Sequence, residues 1–161
     1  MNAEAAKPKI TLILFSGELD KAIACFTLAV TAAAGGFDVT IFFTFWGLNI
    51  IKKRRFAVGK SQNLFQKLFN LMSTSRLPLS KLNFMGAGPA MMKILMKKTG
   101  AARLEDLIKT ARDLKVKFIA CTTSCGVMGL GKDELSDDVD EFAGAAAYLA
   151  EAKDASVNLF I

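Results

Sequence analysis

Cys121 stands where a short apolar run meets a stretch of hydroxyls and glycine: Lys117-Phe-Ile-Ala-Cys-Thr-Thr-Ser-Cys-Gly-Val-Met-Gly-Leu130. Residues Phe118 to Ala120 predict a strand end. A helix opening near Thr122 to Ser124 would set unpaired N–H groups and a helix dipole against the sulfur, which favours a thiolate. The chain has no histidine. Cys–His pairs, Ser–His–Asp triads and histidine-ligated metals are therefore excluded, and thiolate chemistry without a histidine base is what remains. The competing reading of Cys121 is an ordinary small core residue. Cys125, four residues on, is a candidate second thiol, although an i, i+4 pair along one regular helix is poorly placed for an unstrained disulfide. Helix packing is its simpler role. Cys25 lies mid-helix among Ala, Ile and Phe and reads as core.

The elements that must position this thiol follow from the hydrophobic pattern. Strands are expected at Lys9 to Phe15, Val39 to Phe45, Lys117 to Ala120 and Val157 to Ile161, with Lys81 to Met85 as loop or a short strand. Helices are expected at Glu18 to Ala34, stopped by Gly35-Gly36, and at Ser61 to Met72, where Leu64, Phe65, Leu68 and Phe69 recur at three and four residues. A Met-rich helix opens at Gly86-Ala-Gly88-Pro89, with Pro89 at its first position. Helices Leu104 to Leu114 and Ser124 to Leu130 follow, and Ser136 is a candidate cap for a last helix, Val139 to Lys153. The alternation implies a three-layer α/β/α sandwich with a mostly parallel sheet of about five strands, as one domain over 1–161.

In such sheets ligands gather beyond the carboxyl ends of the strands. Ser16, Gly17, Thr44, Trp46, Gly47, Gly86, Gly88, Cys121, Ser124 and Gly126 all fall at or near that edge. Trp46 either walls the thiol pocket or covers the sheet end. The Gly86–Gly88 turn resembles a phosphate cradle before a helix, but it lacks the Walker Lys-Ser/Thr and the dinucleotide fingerprint. Met85, Met91, Met92 and Met96 form a soft apolar surface for core, subunit contact or partner docking.

Bulk properties bound the remaining classes. Of 161 residues, 52% are hydrophobic, with a mean hydropathy of +0.34. That excess apolar surface suits contact with other copies or with a membrane. The run from Phe26 to Ile51 carries only Asp38 as a charge, yet Gly35-Gly36 splits it, so a helix, a turn and a buried strand are expected rather than a transmembrane span. Three cysteines at irregular spacing and an N-terminus without an apolar core segment fit a reducing, cytoplasmic location with no signal peptide. The net charge of +6 is unevenly spread. Residues 52–117 hold sixteen Lys/Arg and three carboxylates, while 118–161 hold two Lys and eight carboxylates. The basic middle, with Lys52 and Lys53 at its start, is a solvated helix face, a surface for an acidic partner, phosphate ligand or anionic lipid, or one half of a self-association contact. No nucleic-acid reader is present.

Three segments carry a resemblance over nearly the whole chain: Thr44-Phe-Trp-Gly-Leu-Asn-Ile-Ile-Lys-Lys53, Leu79-Ser-Lys-Leu-Asn-Phe-Met-Gly86 with the Met-rich helix after it, and Phe118-Ile-Ala-Cys121 through Val127-Met-Gly129. The chain resembles the DsrE/DsrF/DsrH-like (Tus-type) sulfur-relay family, in the branch also labelled DsrE-like or peroxiredoxin-like. The resemblance implies the Rossmann-like fold of that family and a persulfide on Cys121, which occupies the place of the family's cysteine after a late strand. It also implies homo-oligomers or related hetero-oligomers. In this branch a Met and an Asp commonly stand where this chain has Cys125 and Gly126, so the resemblance gives Cys125 no role.

The expected function is therefore a persulfide-carrying sulfurtransferase that needs no cofactor. It would exchange sulfur with a sulfur-carrier protein or a small sulfane-sulfur donor, with Lys52 and Lys53 guiding acidic partners. The rivals are a nucleotide- or coenzyme-A-type binding module, a thiol redox protein using Cys121 and Cys125, and a scaffold in peripheral contact with a membrane.

Overall fold

The computed structural model describes residues 7–53 and 77–161. The helix expected at Ser61 to Met72 lies outside them, as does the side chain of Met85. The elements run β1 (Lys9–Leu14), α1 (Leu19–Ala34), β2 (Asp38–Phe43), a 3₁₀ segment (Phe45–Ile51), a 3₁₀ turn (Phe84–Gly86), α2 (Ala87–Thr99), α3 (Leu104–Asp113), β3 (Lys117–Cys121), α4 (Thr122–Met128), β4 (Glu141–Ala143), α5 (Ala145–Ala152) and β5 (Val157–Phe160). The five strands form one sheet in the order β4-β3-β2-β1-β5, and every pairing is parallel.

The apolar run that could have spanned a bilayer is two elements. Helix α1 ends at Ala34, Gly36 takes the left-handed conformation at φ 86°, and β2 begins at Asp38. Among the described residues no helix is long and apolar enough to cross a membrane.

Alternation along the strands divides the core. Ile10, Leu12 and Leu14, then Val39, Ile41 and Phe43, then Phe118 and Ala120 face α1 and α3. There Phe26, Phe43 and Phe118 meet in tilted and edge-on pairs with ring centroids 5.2–6.2 Å apart. The intervening residues Ile13, Phe42, Ile119 and Cys121 face α5 and its Tyr148. Among the described residues, twenty-three buried side chains pack on the first face and four on the second. At about 1.5–3 kcal/mol per buried large apolar side chain, the α1/α3 face supplies most of the stability, and α5 is the thin layer.

Three expectations need correction. No helix spans Val139 to Ala143. Instead Glu141–Ala143 form β4 beside β3, and α5 starts only at Ala145. Asp140 sets that pairing: its carboxylate accepts the Phe118 N–H at 2.7 Å and its own N–H donates to the Phe118 carbonyl. Ser136 caps no helix; its hydroxyl bonds Asp138 in a local turn. Pro89 is the third residue of α2, not the first. Lys81 to Met85 are loop and turn, one of the two readings expected.

Arg112 clamps Asp140 with two bonds of 2.7 and 2.9 Å, and stacks over Phe118 at 4.7 Å. Burial raises the Asp140 pKa, but the Arg112 guanidinium and the Phe118 N–H outweigh it and hold the carboxyl below its usual range. The pair therefore contributes stability above the ordinary carboxylate pKa and loses it as pH falls through the depressed one. Asp140→Asn is expected to cost about 1–2 kcal/mol at neutral pH and to flatten the acid limb of a stability-versus-pH curve; an unchanged acid limb would show that Asp140 holds nothing. Gly47 is a second constraint, because a Cβ there would lie 1.9 Å from the Leu14 carbonyl oxygen. Gly47→Ala should destabilise the chain by about 3 kcal/mol or more, read as a drop in thermal midpoint.

Candidate functional site

The parallel sheet brings the carboxyl ends of β1, β2 and β3 to one edge, and the loops leaving β1 and β2 are tied together there. The Thr44 N–H donates to the Leu14 carbonyl at 3.1 Å, and the Gly47 N–H donates to the Phe15 and Thr44 carbonyls. A Cβ on Gly17 would fall 2.9 Å from the Trp46 carbonyl oxygen. Ser16-Gly17 and Thr44-Trp46-Gly47 thus make one wall, in which Phe45 and Trp46 are partly exposed. Phe45 adopts φ 45° to make the turn. Ser16 is buried and accepts a bond from the Lys21 ammonium at 3.1 Å.

Cys121 ends β3 and caps α4 with an extended backbone (φ −69°, ψ 113°). It is 6% exposed. The sulfur is not open at the surface: it sits under the rim, packed with Phe42, Ile119 and Tyr148. The ring of Tyr148 lies 5.1 Å from that of Phe42 and its hydroxyl bonds Thr11 at 3.2 Å, so α5 is fastened over this row.

The electrostatics at the sulfur come from dipoles. Burial is the largest single influence on Cys121 and raises its pKa. The Ser124 hydroxyl and N–H, the Thr44 hydroxyl and the Thr123 N–H together outweigh burial and hold the thiol below its ordinary value. Ser124 is almost wholly buried, and its hydroxyl lies 2.8 Å from that of Thr44. Opening a helix directly after the strand turns its first N–H groups toward the preceding side chain, which is why the strand–helix junction does this work.

Other sequence-predicted residues lie elsewhere. Cys125 packs on the α1/α3 face, on the opposite side of the sheet from Cys121. Burial, then the neighbouring Cys121 charge, push its thiol up to about 11. Cys25 is fully buried and burial pushes it up to about 12. All three cysteines are free thiols. A Cβ on Gly126 would meet nothing within 4 Å.

Gly86 and Gly88 are engaged in their own turn, both N–H groups donating to the Asn83 carbonyl at 2.7 and 3.3 Å. Gly88 is required by the Leu82 carbonyl oxygen, 1.9 Å from where its Cβ would be. Gly86 lines a cleft of about 290 Å³ with Leu19, Pro89, Lys93 and Glu105, on the α1/α3 side. Lys53 pairs with Asp137 and its N–H bonds the Glu134 carbonyl at 2.9 Å. Lys52 bridges to Leu135; burial lowers its pKa against the opposing charge of Glu134. Both lysines are thus built into the 131–137 loop. Among the described residues, no group of three His, Cys, Asp or Glu could hold a metal.

Tyr148, Phe42 and Ala143 escaped the sequence reading, although all three frame Cys121. Tyr148 is the only tyrosine in the chain, a signal that could have drawn notice. Ala143 was hidden because a three-residue strand before an alanine-rich helix has no period of its own.

Known proteins resemble this chain along its full extent. Residues 6–160 match the DsrE/DsrF/DrsH-like family. An uncharacterized Bacillus subtilis protein, YrkE, is 45% identical over 156 residues, covering 95% of this chain and 96% of YrkE. The sulfur carrier protein DsrE2 of Allochromatium vinosum is 36% identical over 161 residues, covering 95% and 98%. The crystal structure of YchN from E. coli superposes with a TM-score of 0.55 at 11% identity, covering 96% of this chain and 99% of that one. MTH1491 of Methanobacterium thermoautotrophicum, of unknown function, gives 0.52 at 9%, covering 95% and 99%. Those two structures establish a shared fold, and the sequence matches establish kinship: the chain belongs to the DsrE/DsrF/DrsH-like family.

Proposed function

We propose that this protein is a sulfur-relay protein that carries sulfane sulfur as a persulfide on Cys121. The observation that carries this reading is the Cys121 thiol, held below its ordinary pKa by hydroxyl and N–H groups at the junction of β3 and α4. Kinship with a protein named as a sulfur carrier supports it. In the first step the Cys121 thiolate attacks the outer sulfur of a donor persulfide, R–S–SH. The new S–S bond forms as the old one breaks, leaving Cys121–S–SH and releasing R–S⁻. In the second, an acceptor thiolate attacks that outer sulfur and Cys121 leaves as thiolate. Sulfur changes hands with no net oxidation, and the donors on Ser124, Thr44 and Thr123 stabilise the anion at the start and end of each turn.

A redox pair of Cys121 and Cys125 finds less support. The two side chains pack on opposite faces, and Cys125 remains a thiol far above neutral pH. A nucleotide-type binder finds less support too, since the Gly86 and Gly88 N–H groups are spent on the Asn83 carbonyl. The homo-oligomer and the sulfur-carrier partner belong to the same proposal.

Loading from a persulfidated protein, which releases its thiolate, or from thiosulfate, which releases sulfite, should add the mass of one sulfur atom to the wild type. Cys121→Ser should abolish the adduct, whereas Cys125→Ser should keep it. An adduct retained on Cys121→Ser would sink the relay. The downward shift of Cys121 means its thiolate appears at lower pH than that of a free cysteine. Site-resolved alkylation should therefore modify Cys121 first at neutral pH, while Cys25 and Cys125 react only on unfolding or in strong base. Ser124→Ala removes a donor and should move the Cys121 alkylation midpoint to higher pH. An unmoved midpoint would take the hydroxyl out of the mechanism.

A further inference from the structure

Helix α2 is apolar on two sides. Its inner side, Gly88, Pro89 and Met96, is buried. Its outer side carries Met91, Ile94 and Leu95 at the i, i+3, i+4 spacing of one helical stripe, each exposed by half or more. Leu82 and Phe84, just before the helix, are more exposed still, and both are held in the left-handed backbone region, at φ 59° and 35°. A helix with apolar residues all round is normally enclosed by something.

Charge indicates what encloses it. Lys98 sits within the outer stripe, and Lys93 and Lys97 run along its flank. These three and Lys81 form no ion pair among the described residues. Between Asp38 and Glu105 the sequence has no carboxylate at all. Glu105 borders the cleft beside Lys93, on the inner flank.

In a second copy the richest source of counter-charge is the acidic carboxyl-terminal third, and of its carboxylates only the exposed Asp133 stands without a partner among the described residues. Asp138 and Asp140 pair with Arg112, Glu141 and Glu151 with Lys117, Asp137 with Lys53, and Asp154 with Lys153. Glu134 is buried and accepts the Gly131 N–H. A single-stranded nucleic acid would use several stacking aromatics among the cations, whereas Phe84 is the one aromatic beside an otherwise aliphatic stripe. Aliphatic side chains flanked by lysines fit an anionic bilayer surface, with the stripe among the acyl chains and the ammonium groups at the headgroups.

We infer that α2, with Leu82 and Phe84 ahead of it, is a peripheral docking surface for anionic lipid. The inference is independent of the sulfur chemistry at Cys121.

Co-sedimentation of the full chain with vesicles tests it, comparing phosphatidylcholine alone with phosphatidylcholine containing phosphatidylglycerol. Affinity should rise on the anionic vesicles by about fivefold per engaged lysine, or on the order of a hundredfold for three, and should fall with added salt. The triple variant Lys93→Gln, Lys97→Gln, Lys98→Gln should lose that gain. The triple variant Met91→Ser, Ile94→Ser, Leu95→Ser should lose binding altogether. All three side chains of the second variant point outward, so its circular dichroism should match the wild type; Lys115→Gln, an exposed cation elsewhere, serves as the charge control. Equal binding to both vesicle types, no binding, or binding that survives either triple variant overturns the inference. So does an apolar variant that instead converts the lipid-free protein to a smaller species on sedimentation, which would assign the stripe to a second copy.

Discussion

Everything at the site depends on the strict alternation of a parallel sheet with β2 at its centre. The pairings Leu14 with Phe43 and Phe43 with Ala120 fix which residues share a face. A shift of one residue in β3 would turn Cys121 toward α1 and Phe118 toward α5. The aromatic group of Phe26, Phe43 and Phe118 makes that slip expensive, since it would carry a fully buried ring to the thin side. Core packing on one side of the sheet thereby sets the direction of a sulfur on the other.

The same alternation explains how a thiol is tuned in a chain without histidine. No charged side chain stands among the influences on Cys121. The anion is met instead by N–H groups and by two hydroxyls that also bond one another, Thr44 from the end of β2 and Ser124 from α4. Such dipoles are fixed by backbone geometry and remain polarised across the ordinary pH range, whereas a histidine partner would itself titrate near neutrality. A burial that by itself raises the pKa becomes tolerable because these donors all lie within a few residues of a strand end.

How much of this was legible in the sequence varies with the kind of signal. The strands β1, β2 and β3 and the helix α1 announce themselves through apolar runs and clear stops such as Gly35-Gly36, and α3 through the helical spacing of Leu104, Leu107 and Ala111. The junction at Cys121 was legible because the change from Phe-Ile-Ala to Thr-Thr-Ser is abrupt. β4 was not. Its three residues are held by tertiary bonds through Asp140 rather than by any local pattern, and the alanines after them read equally well as an earlier helix start. The depth of Cys121 was equally hidden, because it depends on Tyr148 arriving from a helix some twenty-five residues later to close over the row. The phosphate-like look of Gly86-Ala-Gly88 has a local cause, since the glycine at 88 answers the close approach of the Leu82 carbonyl.

Trp46 is the only tryptophan in the chain, and it lies on the wall formed by the first two strand ends, 40% exposed. Its emission is therefore an intrinsic optical signal from the neighbourhood of the sulfur, with no competing indole elsewhere. Events at that mouth, whether a docked protein or a change in the covering loops, can be followed by fluorescence on the unlabelled molecule.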